Sequence, residues 1–223
     1  RLDFALRPAH SRSFEAGAKA DLGAAGRLDL ALFESATSDE IVTRSNSGGR
    51  ATYQNAGRTR RAGVELAWAA DLGRSWRLAT AFATLDARYR DGFLTCRATP
   101  CAAPDVQVAA GNRMPGTARA TAWAELAWQP VPAWRAGVEV RAAGRVMVDD
   151  ADSDAAPAYA VAAASLKYGA AAGAWRVSGF GRIDNVFARR YAGSVIVDEG
   201  NGRFFEPAPG RTWVAGLSAA RRF

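Results

Sequence analysis

The sequence predicts an all-β protein: an antiparallel transmembrane β-barrel segment of about nine strands. Three observations lead to that fold class. Apolar and polar residues alternate with period two through most of the 223 residues. The connections between alternating segments run short, long, short, long, and aromatic rings gather beside the short ones. A strand that is apolar on one face and small or polar on the other separates two solvents, because successive side chains point to opposite sides.

Taken in order, SFEAGAKA (13–20), RLDLALFE (27–34) and RAGVELAW (61–68) alternate cleanly, and RSWRLATAFATLDARY (74–89) does so more loosely. GTARATAWAELAW (116–128) places Gly116, Ala118, Ala120, Ala122, Ala124, Leu126 and Trp128 on one face. Thr117, Arg119, Thr121 and Glu125 lie opposite, with Trp123 a large apolar exception on that side. WRAGVEVRAAGRVMV (134–148) sets Trp134, Val138, Val140, Val146 and Val148 against Arg135, Glu139, Arg141 and Arg145. AYAVAAASLKY (158–168) follows the same rule, and WRVSGFGRIDNVF (175–187) follows it loosely. The last segment, WVAGLSAARRF (213–223), sets Trp213, Ala215, Leu217, Ala219 and Phe223 against Val214, Gly216, Ser218, Ala220 and Arg222. Helical periodicity fits none of these better.

Short connections fall around 21–26, 70–74, 129–133 and 169–174, and long ones around 44–57, 91–113, 149–157 and 188–210. Tight periplasmic turns and long extracellular loops give a barrel this rhythm. A soluble β-sandwich also alternates polar and apolar residues, but its loop lengths have no reason to alternate. Trp68, Trp76, Trp128, Trp134, Tyr168 and Trp175 flank the short turns. Indole and phenol rings collect at the membrane–water boundary, so this row reads as a periplasmic aromatic girdle. Counting back from a periplasmic Phe223, the first strand enters from outside. Single-chain bacterial barrels have an even strand number, so the odd count predicts further strands upstream.

Composition narrows the function. The longest apolar stretches, such as GAAAGAW (169–175), fall far short of a transmembrane helix of roughly 18 residues. The opening RLDFALRPAH is no basic–apolar–small leader, so either the protein is not exported or its beginning lies upstream. The net charge of +7 comes mostly from arginines scattered at alternate positions, which argues against nucleic acid as a partner. Cys96 and Cys101 sit in a Pro-containing loop with no His or Cys partner nearby for zinc. A small-loop disulfide in an oxidising compartment is the more natural reading, and two separate thiols are the alternative. DDADSD (149–154) places Asp150, Asp152 and Asp154 at calcium-loop spacing, but the loop glycine is missing and Val161 stands where the bidentate Glu belongs. A solvated loop is expected there, with no bound metal. His10 reads as a solvated residue, GFG (179–181) is not a phosphate loop, and no nucleophile motif or cofactor site stands out. No enzyme is expected.

RPAHSRSFEAGAKA (7–20), LALFESATSDEIV (30–42), NAGRTRRAGVELAW (55–68), GNRMPGTAR (111–119), RIDNVFARRYAG (182–193) and RFFEPAPGRTWVAGLSAARRF (203–223) occur in that order. This ordered set resembles the C-terminal part of a TonB-dependent outer-membrane receptor of the siderophore type. Ala188 departs from the family, which usually carries an acidic or amide residue after the DN-aromatic turn. The resemblance implies that residues 1–223 are a portion of a 22-stranded barrel, whose plug domain, leader and TonB-binding motif lie upstream. It implies a multi-pass location in the bacterial outer membrane and uptake of a ferric siderophore or similar scarce nutrient. The partners implied are outer-membrane lipid, the ligand, the TonB complex and the barrel-assembly machinery, which reads a C-terminal strand such as Trp213, Leu217 and Phe223 as its insertion signal.

Ligand contacts are expected from inward-facing residues near the mouth and from the long loops: Tyr89, Arg113, Arg119, Arg141, Arg145 and Tyr159. Guanidinium supplies charge and a donor fork, and phenol stacks on an aromatic chelate. The plainer expectation for the arginines is pairing with Glu125, Glu139 and plug carboxylates. Arg211 and Glu206 are expected to order the last loop. Cobalamin, haem and copper are alternative cargoes; copper would draw on Met and His at the mouth, where only Met114 and Met147 are available. Outside the family, the alternative is a small complete outer-membrane barrel with a structural or adhesive role.

Overall fold

A computed structural model describes residues 5–96, 101 and 103–221. Nine strands form one antiparallel sheet in which each pairs with its neighbours in sequence. They are β1 (His10–Asp21), β2 (Arg27–Ser38), β3 (Thr59–Leu72), β4 (Trp76–Tyr89), β5 (Ala120–Val131), β6 (Trp134–Ala143), β7 (Tyr159–Ala172), β8 (Trp175–Asp184) and β9 (Thr212–Arg221). The sheet is open, with β1 and β9 at its edges. No described helix is long and apolar enough to cross a membrane.

The register keeps the two solvents apart across the whole sheet. Leu30 faces Leu66, which faces Phe82, and Leu78 faces Leu126, which faces Val138. All of these outward side chains are exposed or half-buried. On β9, Trp213 and Leu217 point the same way, Leu217 being 92% exposed. Phe223 lies outside the described residues. A one-residue slip in any strand would turn its leucines inward and its charges outward, so the alternation itself holds the register. The inner face is polar. Arg135 pairs with Glu125 at 3.0 Å, and Glu139 takes both Arg141 at 2.6 Å and Arg182 at 3.3 Å.

At the short-turn end the aromatic side chains meet across strands. Trp76 and Trp128 are register partners with centroids 6.0 Å apart, and Trp134 and Tyr168 are partners at 4.5 Å. Trp68 donates its indole N–H to the Ala25 carbonyl at 2.9 Å, and Arg221 lies over the Trp175 ring.

The close-packed core lies at the opposite end, under the loops. Val42, Ala56, Ala87, Tyr89, Val108 and Met114 form it, with Leu85 and Phe93 against them. The loops are more ordered than the sequence reading expects. Ile41–Ser47 and Arg50–Asn55 make a hairpin around Gly48 and Gly49, both at positive φ, and Phe93–Thr95 pairs with Val106–Val108. Two predicted strands are shorter than expected. The ladder of β6 ends at Ala143, and after Gly144 the chain pairs Val146 and Met147 with Ala156 and Ala155 instead. Val148, expected on the outer face, is therefore fully buried among the loops. Likewise β5 starts at Ala120, because Gly116 at positive φ bends the chain so that its N–H reaches the Met147 carbonyl.

Candidate ligand-binding site

Two cavities open on the inner face and share Arg141 and Tyr159. One, of about 630 Å³, is lined by Glu15, Lys19, Asp29, Glu65 and Trp123 as well as that pair. The other, of about 420 Å³, adds Glu139, Arg182, Asp184 and Tyr191. Tyr159 opens β7 beside Ala143, the last residue of the β6 ladder, so the phenol stands where wall becomes loop. Its ring stacks on Tyr191 at 4.1 Å. The Arg141 side chain is 61% exposed although its Nε contacts Glu139, which leaves guanidinium donors for an anion. Trp123, the inward exception on β5, lies beside them.

The remaining candidates go elsewhere. Tyr89, expected at the mouth, is 1% exposed and donates its hydroxyl to Asp150 at 2.5 Å, with its ring edge-on to Phe93. Its chemistry is spent inside this chain. Arg113 pairs with Asp86 at 3.0 Å, and its backbone N–H donates to Asp152. Arg119 and Arg145 are exposed at the loop bases and line neither cavity. Met114 is buried in the core, Met147 is half-buried, and neither lines the cavities. His10 is exposed at the start of β1. Arg182, Tyr191 and Lys19 were missed by the sequence reading. Arg182 lies in a loosely alternating segment and Tyr191 in a loop, while Lys19 was legible from β1 parity alone.

Above this wall the four long loops hold one another. Cys96 N–H donates to the Arg44 carbonyl, the Asn112 amide to the Asp150 carbonyl, Asp198 N–H to the Val148 carbonyl, and Gly200 N–H to the Asn46 carbonyl. Cys96 and Cys101 form the expected disulfide. The acidic run 149–154 is solvated only in part: Ser153 and Asp154 are exposed, and Asp150 is buried. Asp150 is 1% exposed and receives Tyr89, and its backbone N–H donates to Asp198 at 3.0 Å. Burial pushes both carboxyls up, Asp150 to about 6 and Asp198 to about 8. Among the described residues no group of three or more His, Cys, Asp or Glu side chains is placed to hold a metal ion. In the last loop Ser194 donates its hydroxyl to Glu206, and Arg211 is exposed. Despite Ala188, the DN-aromatic turn forms: Asn185 bridges Arg189 through both its amide and carbonyl, and Ala188 takes positive φ.

A sequence model of the family described as TonB dependent receptor-like, beta-barrel matches residues 3–186. The chain belongs to that family. Solved structures superpose on it: the siderophore receptor PiuA from Acinetobacter baumannii does so with TM-score 0.74 and 21% identity, over 94% of this chain and 28% of that one. The ferric yersiniabactin uptake receptor FyuA from Yersinia pestis gives 0.71 at 21% identity, over 96% and 30%. The copper transporter OprC gives 0.71 at 16% identity, over 98% and 32%. The chain thus spans under a third of the length of these structures. TonB-dependent receptors are outer-membrane transport proteins and not enzymes, in keeping with the outward apolar face and inward ion pairs seen here.

Proposed function

We propose that this chain is the C-terminal arc of a 22-stranded TonB-dependent receptor that imports a ferric siderophore. The observation that carries the reading is the meeting of Arg141, Tyr159 and Trp123 at the two inner-face cavities. A guanidinium, a stacked phenol pair and an indole offer charge and flat rings to an anionic, aromatic chelate. Such a site must bind one charge state of the complex and release it, which suits exposed donors better than a sealed ion pair. Copper is disfavoured because both methionines lie away from the cavities.

On this reading the plug fills the lumen and meets Lys19, Glu65 and Asp29, TonB engages a segment upstream, and the aromatic row faces the periplasm. The outward strand β9 offers Trp213 and Leu217 to the assembly machinery. The test uses the full-length receptor in an iron-starved outer membrane. Uptake of radiolabelled ferric siderophores should saturate, and Arg141→Ala with Tyr159→Ala should abolish it while the barrel keeps its heat-modifiable gel mobility. Uptake of copper, cobalamin or haem by the native receptor, with no ferric chelate transported, would overturn the proposal.

A further inference from the structure

The last long loop, residues 185–211, is drawn together at its neck by one side chain. Asn185 is buried, and its planar amide reaches both arms of the loop. The Arg189 N–H donates to its Oδ1 at 2.9 Å, while its Nδ2 donates to the Arg189 carbonyl at 2.9 Å and to the Pro209 carbonyl at 3.4 Å. The position is demanding. Asn185 takes φ 49°, in the left-handed region that asparagine visits more readily than most residues with a side chain. Aspartate would tolerate that turn but has no donor for two carbonyls, and glycine would tolerate it with no reach at all.

The arms that Asn185 joins carry Tyr191. On the outgoing arm Tyr191 follows Arg189 by two residues. On the returning arm Ala208, next to Pro209, donates its N–H to the Tyr191 carbonyl at 3.0 Å. The pairing runs on through Ala192 with Pro207 and Ser194 with Glu206, and a Cβ on Gly193 would meet Ala208 at 3.1 Å. The Arg189 guanidinium reaches the wall as well, donating to the Ala158 carbonyl at 3.5 Å, one residue before Tyr159. The Tyr191 ring thereby lands on Tyr159, with planes inclined by 32° and centroids 4.1 Å apart. Asn185, Tyr191 and Pro209 line the cavity of about 420 Å³ together with Arg141, Tyr159 and Arg182. Tyr159 is held by the β6–β7 ladder, whereas Tyr191 stands only where its loop puts it.

We infer that Asn185 is a positioning residue for the ligand: by tying the neck of the last loop it seats Tyr191 on Tyr159, and so gives the cavity its preference for ring-bearing over ring-free ferric chelates. The ferric cargo follows from the function proposed above; the seating of Tyr191 does not depend on it. A flat ring gains from a neighbouring ring beyond the area it buries, and only at stacking or edge-on distance. Cutting the tie lets the two arms shift against β7 and separates the rings. A ring-free anion draws instead on Arg141 and Arg182, which the wall strands β6 and β8 hold without help from the loop.

The test places 3-fluorotyrosine at position 191 of the full-length receptor and reads its fluorine resonance. The ring current of Tyr159 should displace that resonance, and Tyr159→Leu marks where it lies without the stack. Asn185→Gly keeps the left-handed turn and removes the tie, so it should carry the resonance to the Tyr159→Leu position. Asn185→Asp loses both donor bonds and should move it the same way. The native receptor should bind a ferric tris-catecholate more tightly than ferric citrate. Asn185→Gly should weaken the catecholate about fivefold, the loss of one ring stack, and leave citrate within about twofold. Tyr191→Leu should have the same effect, and adding Asn185→Gly to it should lose nothing more. Heat-modifiable mobility checks the barrel in each variant. A native resonance in folded Asn185→Gly or Asn185→Asp would overturn the inference, as would equal losses for the two chelates. So would a resonance that Tyr159→Leu leaves in place, a comparison that needs neither Asn185 variant to fold. A receptor that binds neither chelate would sink the proposed function, while the resonance would still decide whether Asn185 seats Tyr191.

Discussion

Tyr89→Phe isolates one bond in the loop layer, because the ring and its edge contact with Phe93 remain while the hydroxyl goes. In the native protein Asp150 Oδ1 accepts that hydroxyl at 2.5 Å, and Oδ2 has no partner. The variant therefore leaves a buried carboxyl with neither oxygen bonded to a side chain. A hydrogen bond to a charged group contributes about 1.5–3 kcal/mol, so opening of segment 144–158 should become roughly 30-fold more frequent. The pH dependence follows from the carboxyls. Both Asp150 and Asp198 have pKa values raised above the ordinary 3.8, so the closed layer binds more protons than the open one. Its extra stability is complete below about pH 4 and is lost as pH rises through about 6 and then about 8. The Tyr89 bond holds the Asp150 value down, so Tyr89→Phe should push it further up and move the first loss to higher pH. Hydrogen exchange on the full-length receptor, corrected for intrinsic rates and read in peptides covering 106–119 and 144–158, measures both effects. Exchange in the variant within threefold of native across pH 5–9 would refute the reasoning.

On the inner wall, Glu139→Gln should weaken the hold on Arg141 and Arg182 and raise affinity for an anionic chelate severalfold, as read by Trp123 fluorescence. Gly63→Ala should cost about 1–3 kcal/mol, seen as a lower temperature of heat-modified migration, because a Cβ there would meet the Thr84 carbonyl at 2.1 Å and the Phe33 ring at 2.5 Å. Reduction of Cys96–Cys101, which closes a short local loop, should leave barrel migration unchanged and speed exchange only within residues 90–119.

Period-two alternation was enough to find all nine wall strands, since each must satisfy lipid on one side and water or plug on the other. The rings beside the short turns were legible for the same reason, and the structure pairs four of them across neighbouring strands. The loops obey no such two-sided constraint. In the hairpin of Ile41–Ser47 with Arg50–Asn55, Ser, Thr, Asn and Arg occupy both faces, so no apolar period marks it; the Gly48–Gly49 turn was its only sign. Tyr89 looked like a mouth residue because it stands beside the disulfide loop. Its burial is decided by Asp150, 61 residues later, and no local pattern reports a partner at that distance. Arg141 and Tyr159 stood out by parity and type, whereas Tyr191 joins them only because the last loop folds back over β7.

The hydrogen bonds linking the long loops close on themselves: first to second, second to third, third to fourth and fourth back to first. A closed circuit has a redundancy that an open series lacks. Severing any one link still leaves all four loops joined in a line, so the first break frees no loop and the second frees a group. Damage should therefore accumulate non-additively, with pairs of lesions at different junctions exceeding the sum of their separate effects.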